Sequence, residues 1–434
     1  MSGVTVKKII SLILIPALIL TGCSGLNTKD DYISSTSYLA SDDITGAVKA
    51  LPGGEGKTFI TIMERTYLNL LAGNPDIKAL AAYSHKIEDQ VRYKISRGVK
   101  SFFFIETPDG YYASEHEIIW MHFLLCWGYS MKGDMDSARV EVNRAAVFLS
   151  NEFSAEGRFD DPFMRIVCGL MWSICGEWDD ACADFRRAIQ LDPEVKWLRP
   201  LLKMDEAPAN LVLLMGGTGY EPYWDPDAKG FVRGLRGVSF EGKGTGSRIA
   251  LTGGEFEKLN LFITPDSSYW YKRHETRNSE LSDTIDDFKY TEQFGVSSGK
   301  MVSHMAMAVG GGLLIFTLVG GAGLALVALG AYVNSSEVVG AGAAVFLYGG
   351  YKGYDFASEQ CSDARRNYRR EMNPADKYRY VRFLPEYAWL GWSNKNITPP
   401  VSIKSGKSNI KLKNSYKIKG RGTSLTLGYY PDIR

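Results

Sequence analysis

The stretch that decides the fold is 162–193, PFMRIVCGLMWSICGEWDDACADFRRAIQLDP. Gly176 separates two segments whose apolar and small residues recur at helical spacing. This pattern predicts two helices joined by a tight turn, and Pro193 ends the second helix because proline cannot continue one. The residues expected where the two helices meet are Gly169, Trp172, Ala181, Phe185 and Ala188.

A second copy of the pattern begins at Glu115. Small residues let two antiparallel helices approach closely, and large residues fill the remaining groove. The turn glycines of the two copies lie farther apart than the usual repeat of about 34 residues, and 151–161 accounts for the excess as a polar loop. The matching positions of this copy are Cys126, Tyr129, Gly133, Ala138, Val142 and Ala145.

The two copies resemble tetratricopeptide (TPR) repeats, which bind other proteins and do not catalyse reactions. Repeats of this kind usually need three or more copies to bury their faces. We therefore expect 115–193 to pack against degenerate helices at 59–97 and against strands after Leu211. These elements would partly fill the groove that the repeats form. The tryptophans that we consider for partner contact are Trp172, Trp178 and Trp197.

The N-terminus has the pattern of a signal peptide. Lys7 and Lys8 precede an apolar run that is too short for an ordinary spanning helix. The ending Leu20-Thr21-Gly22-Cys23 resembles the lipobox of bacterial lipoproteins, which implies cleavage before Cys23 and acylation of that residue. Several acyl chains form a stable anchor, at about 0.8 kcal/mol per buried methylene. Ser24 implies the outer membrane; the alternative is an uncleaved or simply secreted N-terminus.

After Pro200 the helical spacing is lost and short strand patterns follow. We expect strands at 211–215, 231–238, 248–252 and 259–264. Near the C-terminus apolar and polar residues alternate, which is typical of half-buried antiparallel strands. The predicted fold class is therefore α+β: an N-terminal α-helical TPR-like region, then a smaller β-containing region interrupted by a Gly-rich hydrophobic helical hairpin.

The segment 305–333 contains no charged residue and is rich in Gly and Ala. Its length suffices to span a bilayer, and its glycines permit close helix contacts. Two interpretations stay open: a membrane-inserted helix or hairpin, and a small-residue hairpin buried in protein. The first conflicts with an outer-membrane lipoprotein, because hydrophobic helices usually stop in the inner membrane during export.

These patterns divide the chain into six regions. They are the signal peptide 1–22, a tether 23–54 that ends in one weak helix, the α-helical TPR-like domain 55–200, a β-containing region 201–300, the Gly-rich segment 301–352 and a basic C-terminal region with strands, 353–434.

No motif indicates an enzyme, a cofactor or a metal site. The stretch 53–58 lacks the first glycine of a phosphate loop, and His116-Glu117 lacks the second histidine of a zinc protease because Trp120 stands there. We expect His116 and Glu117 to be exposed in the first turn of a helix. The six cysteines form no CxxC pair and predict small buried side chains, with a Cys175–Cys182 bridge left open.

The charge balance gives no reason to expect nucleic acid, with 50 basic and 49 acidic residues among 434. The stretch 404–421 holds seven basic residues and no acidic one. We interpret it as the solvated face of strands, with an anionic envelope surface as the alternative. A lipidated Cys23 also argues against a cytosolic nucleic-acid partner.

The order of these parts resembles a family of TPR-containing bacterial envelope lipoproteins of largely unknown function. The resemblance covers most of the mature chain and implies no catalytic residues. We expect a lipid-anchored, non-enzymatic scaffold or assembly factor that meets an unknown envelope protein and the membrane. The alternatives are a membrane-inserting oligomeric component that uses 305–350, and an envelope hydrolase or transferase without a recognisable motif. The features that carry the resemblance are the lipobox, the entry Glu115-His116-Glu117, the turns at Gly133-Asp134 and Gly176-Glu177, the strand 211–215, and Ala375-Asp376 followed by Leu384-Pro385.

Overall fold

The computed structural model describes residues 29–53, 58–96, 105–106, 112–113, 115–150, 160–224, 238–253, 256–265, 380–406 and 408–432, with scattered residues between 322 and 352. The chain divides into two compact units. One comprises 27–231, 236–285 and 378–434 and contains every helix and strand named below. Cys23, Cys361 and nearly all of 305–333 lie outside the described residues. Helices and strands together confirm the α+β class.

The described helices of this unit precede most of its strands. They are α1 (Ile33–Ala40), α2 (Ile44–Lys49), α3 (Phe59–Leu71), α4 (Lys78–Ser96), α5 (Glu115–Met131), α6 (Met135–Leu149), α7 (Pro162–Cys175) and α8 (Trp178–Leu191). Polar residues satisfy free N–H groups at several of their starts: Thr58 caps α3, Asp134 caps α6 and Asp161 caps α7. Pro162 occupies the first turn of α7, where its missing N–H costs nothing.

The pair α5–α6 and the pair α7–α8 each form a helical hairpin. Both turns contain a glycine in the left-handed region, Gly133 at φ 78° and Gly176 at φ 87°. A side chain at Gly169 would collide with the Phe185 ring, because a Cβ there would lie 2.5 Å from its nearest carbon. The helices of the second hairpin therefore approach each other at a position that only glycine permits.

The described strands form two larger sheets and two ribbons. The strands are β1 (Ile105–Glu106), β2 (Tyr112–Ala113), β3 (Asn210–Gly216), β4 (Glu221–Trp224), β5 (Val238–Glu241), β6 (Ile249–Gly253), β7 (Phe256–Asn260), β8 (Phe262–Ile263), β9 (Tyr387–Ser393), β10 (Ser402–Ser405), β11 (Ser408–Lys411), β12 (Ser415–Lys419) and β13 (Ser424–Tyr430). A five-stranded sheet has the order β12-β13-β3-β9-β8, with β13 parallel and β9 antiparallel to the central β3. A four-stranded antiparallel sheet has the order β11-β10-β6-β7. The pairs β1–β2 and β4–β5 form the ribbons.

Strand β3 is apolar on both faces because a different layer covers each face. Leu211, Leu213 and Met215 belong to the core that the sheet shares with the helices. Val212 and Leu214 belong to a second core. The four-stranded sheet contributes to that second core through Ile249, Leu251 and Ile403. The fold therefore has three layers: helices, the five-stranded sheet and the four-stranded sheet.

Two features of the helical layer differ from a plain interpretation of the sequence. The tether predicted at 23–54 contains α1 and α2, which bury Leu39, Ile44 and Ala47 in the main core. The predicted exposure of His116 and Glu117 is wrong, since each is only 2% exposed. The Glu117 carboxylate accepts the backbone N–H of Val381 at 2.9 Å, so a segment distant in sequence covers the start of α5.

Candidate functional site

The inner helices of the two hairpins, α5 and α7, are covered by the protein's own chain. Tyr67 of α3 packs edge-on against the rings of Trp120 and Trp127, with centroids 6.4 Å away in both cases. On α7, the carbonyl of Ile174 accepts the backbone N–H of Arg421 at 2.9 Å. These faces of α5 and α7 are therefore in contact with α3 and with the turn between β12 and β13.

Most of the predicted repeat residues are buried in the structure. Cys126, Ala138, Val142 and Ala145 are fully buried in the first, as are Ala181, Phe185 and Ala188 in the second. Trp172 is 7% exposed and Tyr129 is half-buried. Pro193 begins a short 3-10 helix, Pro193–Leu198. Small residues thus occupy buried positions in both hairpins, and in the second the Gly169–Phe185 approach shows that one of them lies at the helix contact.

The four described cysteines, Cys126, Cys168, Cys175 and Cys182, are free thiols in buried positions. Burial raises the pKa of Cys126 and Cys168 well above the ordinary thiol value. The Cys175–Cys182 bridge that the sequence left open is not formed. The thiols act as small side chains of the helical core.

Each hairpin contains one cluster of paired polar side chains. Arg165 of α7 pairs with Asp160 and with Asp184 of α8, at 2.6 Å in each case. His122 Nδ1 lies 2.7 Å from the Glu141 carboxylate, and the His122 ring stacks on Phe148. All of these groups are bound to one another, so we assign the clusters to packing.

Three aromatic rings form a continuous stack beside β8. Phe262 lies parallel to Trp197 at a centroid distance of 5.1 Å, and stacks on Trp392 at 5.4 Å. Both residues of β8, Phe262 and Ile263, remain 37% exposed. In the described part of the five-stranded sheet β8 is the edge strand. We call Trp197, Phe262 and Trp392 the aromatic stack.

Polar side chains converge in a cleft of about 210 Å³ at the C-terminal end of β3. We call it the polar cleft, and its charged walls are Lys29, Glu221, Lys243 and Arg382. The lining also includes residues with hydroxyl groups, which are Tyr32, Thr36, Ser37, Thr218, Tyr220 and Tyr380.

The loop after β3 is held against the segment 380–387. Gly219 has φ 91°, and a Cβ there would lie 1.6 Å from the Arg382 carbonyl oxygen, so only glycine fits. The buried Glu386 carboxylate accepts the backbone N–H of Thr218 at 3.0 Å and that of Gly244 at 2.7 Å. These bonds place the loop and fix one wall of the polar cleft.

Arg382 is the central cation of the polar cleft. It is 8% exposed, and its guanidinium carbon lies 4.7 Å from the ring centres of both Tyr32 and Tyr380. Its Nη1 donates to the Tyr380 hydroxyl at 3.1 Å, and that hydroxyl donates to the Tyr220 carbonyl at 2.9 Å. Burial raises the pKa of Tyr380, which keeps its hydroxyl protonated.

Two carboxylates lie behind and beside this cation. Glu64 of α3 is fully buried and accepts the backbone N–H of Arg382 at 3.0 Å. Burial raises the pKa of Glu64 to about 7. Glu221 is bound by Lys29 at 2.9 Å and Lys243 at 2.7 Å. Burial opposes ionisation of Glu221, but the two lysines outweigh it and lower its pKa.

The sequence alone indicates only turn glycines at 216–219 and assigns no role to Arg382. The two stretches lie about 160 residues apart, and local spacing cannot show that they meet. The signals available were the glycines at 216–219 followed by Tyr220 and Glu221, and the alternating tyrosines and arginines at 378–382.

No family model, no curated protein and no solved structure matches this chain. Within the described residues, His, Cys, Asp and Glu side chains form no group of three that could hold a metal ion. None of the described helices combines the length and the apolar character needed to cross a bilayer.

Proposed function

We propose that this protein is a lipid-anchored, non-enzymatic scaffold or assembly factor of a bacterial envelope, built around two TPR-type hairpins. The lipobox pattern ending at Cys23 supports the anchor, and the internal likeness of the two hairpins supports the repeat assignment. Each hairpin has a left-handed glycine at its turn and two fully buried alanines on its second helix.

The observation that carries the scaffold proposal is the exposed apolar edge at β8. Large aromatic residues supply much of the binding free energy at protein interfaces. Phe262 and Ile263 present such a surface on a sheet edge, next to the half-buried Trp197. Because α5 and α7 are covered, the partner meets the aromatic stack and not a concave helical groove.

A partner of this surface adds an extended segment to β8 and packs apolar side chains on Phe262 and Ile263. Strand addition supplies backbone hydrogen bonds, while side-chain contacts select the partner. Because β8 has only two residues, few backbone hydrogen bonds can form with an added strand, which fits a reversible assembly contact.

Crosslinking in intact cells tests the partner surface. A photo-crosslinking amino acid at position 262 should give a discrete adduct with an envelope protein, and the same group at exposed position 410 of β11 should not. Equal adduct yields from both positions, or no adduct from position 262, would reject the surface.

The anchor is tested separately by metabolic labelling with palmitate. Label should be incorporated by the wild-type protein and by Cys182→Ala, and should disappear in Cys23→Ala. Labelling that persists in Cys23→Ala would reject lipidation at this residue.

The second candidate function, a membrane-inserting component using 305–350, has one observation in its favour. Leu347, Tyr348 and Tyr351 are 70%, 57% and 61% exposed on a helical stretch. The Lys352 ammonium lies 5.8 Å and 5.7 Å from the two tyrosine rings. Tyrosine and lysine together are typical of membrane–water interfaces.

Fractionation separates the two modes of membrane attachment. In the second candidate, Cys23→Ala protein stays in the membrane fraction and is released only when 305–350 is also deleted. Release by Cys23→Ala alone would reject 305–350 as an anchor.

A further inference from the structure

We infer that the polar cleft binds the phosphate group of a small phosphomonoester, held by Arg382 with Lys29 and Lys243. No part of the proposed scaffold function uses this cleft. The inference therefore stands or fails independently of the aromatic stack and of the lipid anchor.

The Arg382 guanidinium has hydrogen-bond donors available for a ligand. Among the described residues no carboxylate forms an ion pair with its guanidinium, whose one protein hydrogen bond there is to Tyr380. None of the remaining guanidinium nitrogens is a fully buried atom without a partner, so they are open to the cleft. A guanidinium that is nine-tenths buried and keeps open donors is suited to an oxyanion.

The charge of the residues that line the polar cleft favours a phosphate group over a carboxylate. Three cationic side chains and a single carboxylate line the polar cleft, so its wall carries excess positive charge. A phosphomonoester carries a charge of about −1.5 to −2 at pH 7 and three acceptor oxygens. A carboxylate ligand would supply one charge and two acceptors, and would leave part of this excess uncompensated.

The Arg382 side chain is held in place before a ligand binds. Tyr32 and Tyr380 hold the guanidinium between their rings, and Gly219 lets the loop approach Arg382 closely. The side chain therefore loses little rotamer freedom when a ligand arrives. Thr36 and Thr218 line the same space, and their hydroxyl groups can donate to phosphate oxygens, whereas the Ser37 hydroxyl donates to the Ile33 carbonyl at 2.9 Å.

The volume limits the ligand. At about 210 Å³ the polar cleft is smaller than the roughly 300 to 1,000 Å³ typical of drug-sized ligands. It accepts a phosphate with a few further atoms, such as a glycerol phosphate, but not a whole nucleotide. The same chemistry occurs in a free metabolite and in a phosphomonoester lipid headgroup.

Calorimetric titration with glycerol 3-phosphate tests the inference on the purified full chain carrying Cys23→Ala. The unaltered cleft should bind saturably with one site, and binding should weaken as ionic strength rises. Arg382→Gln should weaken binding at least about tenfold, since it removes charge-assisted hydrogen bonds, which are roughly twice as strong as neutral ones. The matched control Arg199→Gln, at an exposed site, should bind as the unaltered cleft does.

Two further measurements keep the result decisive. If Arg382→Gln fails to fold by circular dichroism, the rim variant Lys29→Gln/Lys243→Gln replaces it and should weaken binding about threefold or more. No saturable binding, or equal binding by the cleft variants and Arg199→Gln, would overturn the inference. Co-sedimentation with phosphatidylcholine vesicles, with and without phosphatidic acid, then assigns the source: Arg382-dependent sedimentation identifies the lipid headgroup, and its absence beside calorimetric binding identifies a free phosphomonoester.

Discussion

The helical hairpins and the polar cleft are assembled in opposite ways. Each hairpin joins residues that are close in the chain, such as Gly169 and Phe185, across one short turn. The cleft joins the short 3-10 helix Lys29–Tyr32, the loop after β3 and the segment before β9. Contacts within a hairpin can therefore be recognised from helical spacing in the sequence. Contacts within the cleft depend on how distant segments are brought together by the chain topology.

The largest expected loss of stability comes from a substitution in the wall of the polar cleft, which leaves the hairpins unchanged. Glu386→Ala leaves the N–H groups of Thr218 and Gly244 without their acceptor. At about 1–3 kcal/mol for each lost partner, we expect the free energy of unfolding to fall by roughly 4 kcal/mol. Urea denaturation measures this loss. The exposed Glu241→Ala should change the same quantity by less than about 0.5 kcal/mol, and a similar loss in both variants would contradict the assignment.

The next effect sharpens the comparison through pH. Burial raises the pKa of Glu64 to about 7 in the folded state, above its ordinary value of 4.5. The folded protein therefore holds a proton that the unfolded chain releases, and this contribution to stability is present below about pH 4.5 and lost as pH rises to about 7. The loss amounts to about 3 kcal/mol at 1.36 kcal/mol per pKa unit.

Glu64→Gln should remove this pH dependence, because the glutamine stays neutral and its carbonyl oxygen still accepts the Arg382 N–H. Denaturation midpoints between about pH 4.5 and pH 8 measure the change. A stability profile for Glu64→Gln with the same slope as the wild-type profile would show that Glu64 does not titrate in this range.

Packing within the second hairpin gives a smaller effect. A Cβ at Gly169 would lie 2.5 Å from the fully buried Phe185 ring, so Gly169→Val should lower the free energy of unfolding by about 2.5 kcal/mol through overpacking. Adding Phe185→Leu should recover part of that loss, which thermal denaturation of the single and double variants would reveal. Strictly additive losses would mean that these two residues do not limit the helix approach.

The smallest effect compares the two hairpins. Gly133 and Gly176 share a left-handed backbone, but a Cβ meets nothing within 4 Å at Gly133 and lies 2.9 Å from the Arg421 Cβ at Gly176. Alanine should cost about 1 kcal/mol at Gly133 from backbone strain alone. At Gly176 it should cost about 2 kcal/mol, because Arg421 is held by its bond to Ile174. Equal shifts in the denaturation midpoint of Gly133→Ala and Gly176→Ala would contradict the packing of the Gly176 turn against the β12–β13 turn.

Much of the fold is accessible from the sequence. The predicted strand 211–215 lies within β3, and the predicted strand 248–252 matches β6 to within one residue at each end. Both hairpins follow from the spacing of small residues. The exposure of His116 and Glu117 is mispredicted, and for Glu117 the reason is that the segment bound to it, at Val381, lies more than 260 residues away along the chain.

By itself the sequence determined the helices of both hairpins, the strands β3 and β6 and the positions of the turn glycines, because these depend on periodicity and local backbone conformation. The lipobox and the TPR resemblance are likewise sequence properties, and they remain predictions. Only the tertiary structure decided that β13 lies parallel to β3 and that Arg382 meets Lys29 and Lys243 in one cleft. These contacts depend on how remote segments share layers of one core, and hydrophobic burial is non-directional, so no local pattern specifies which segments meet.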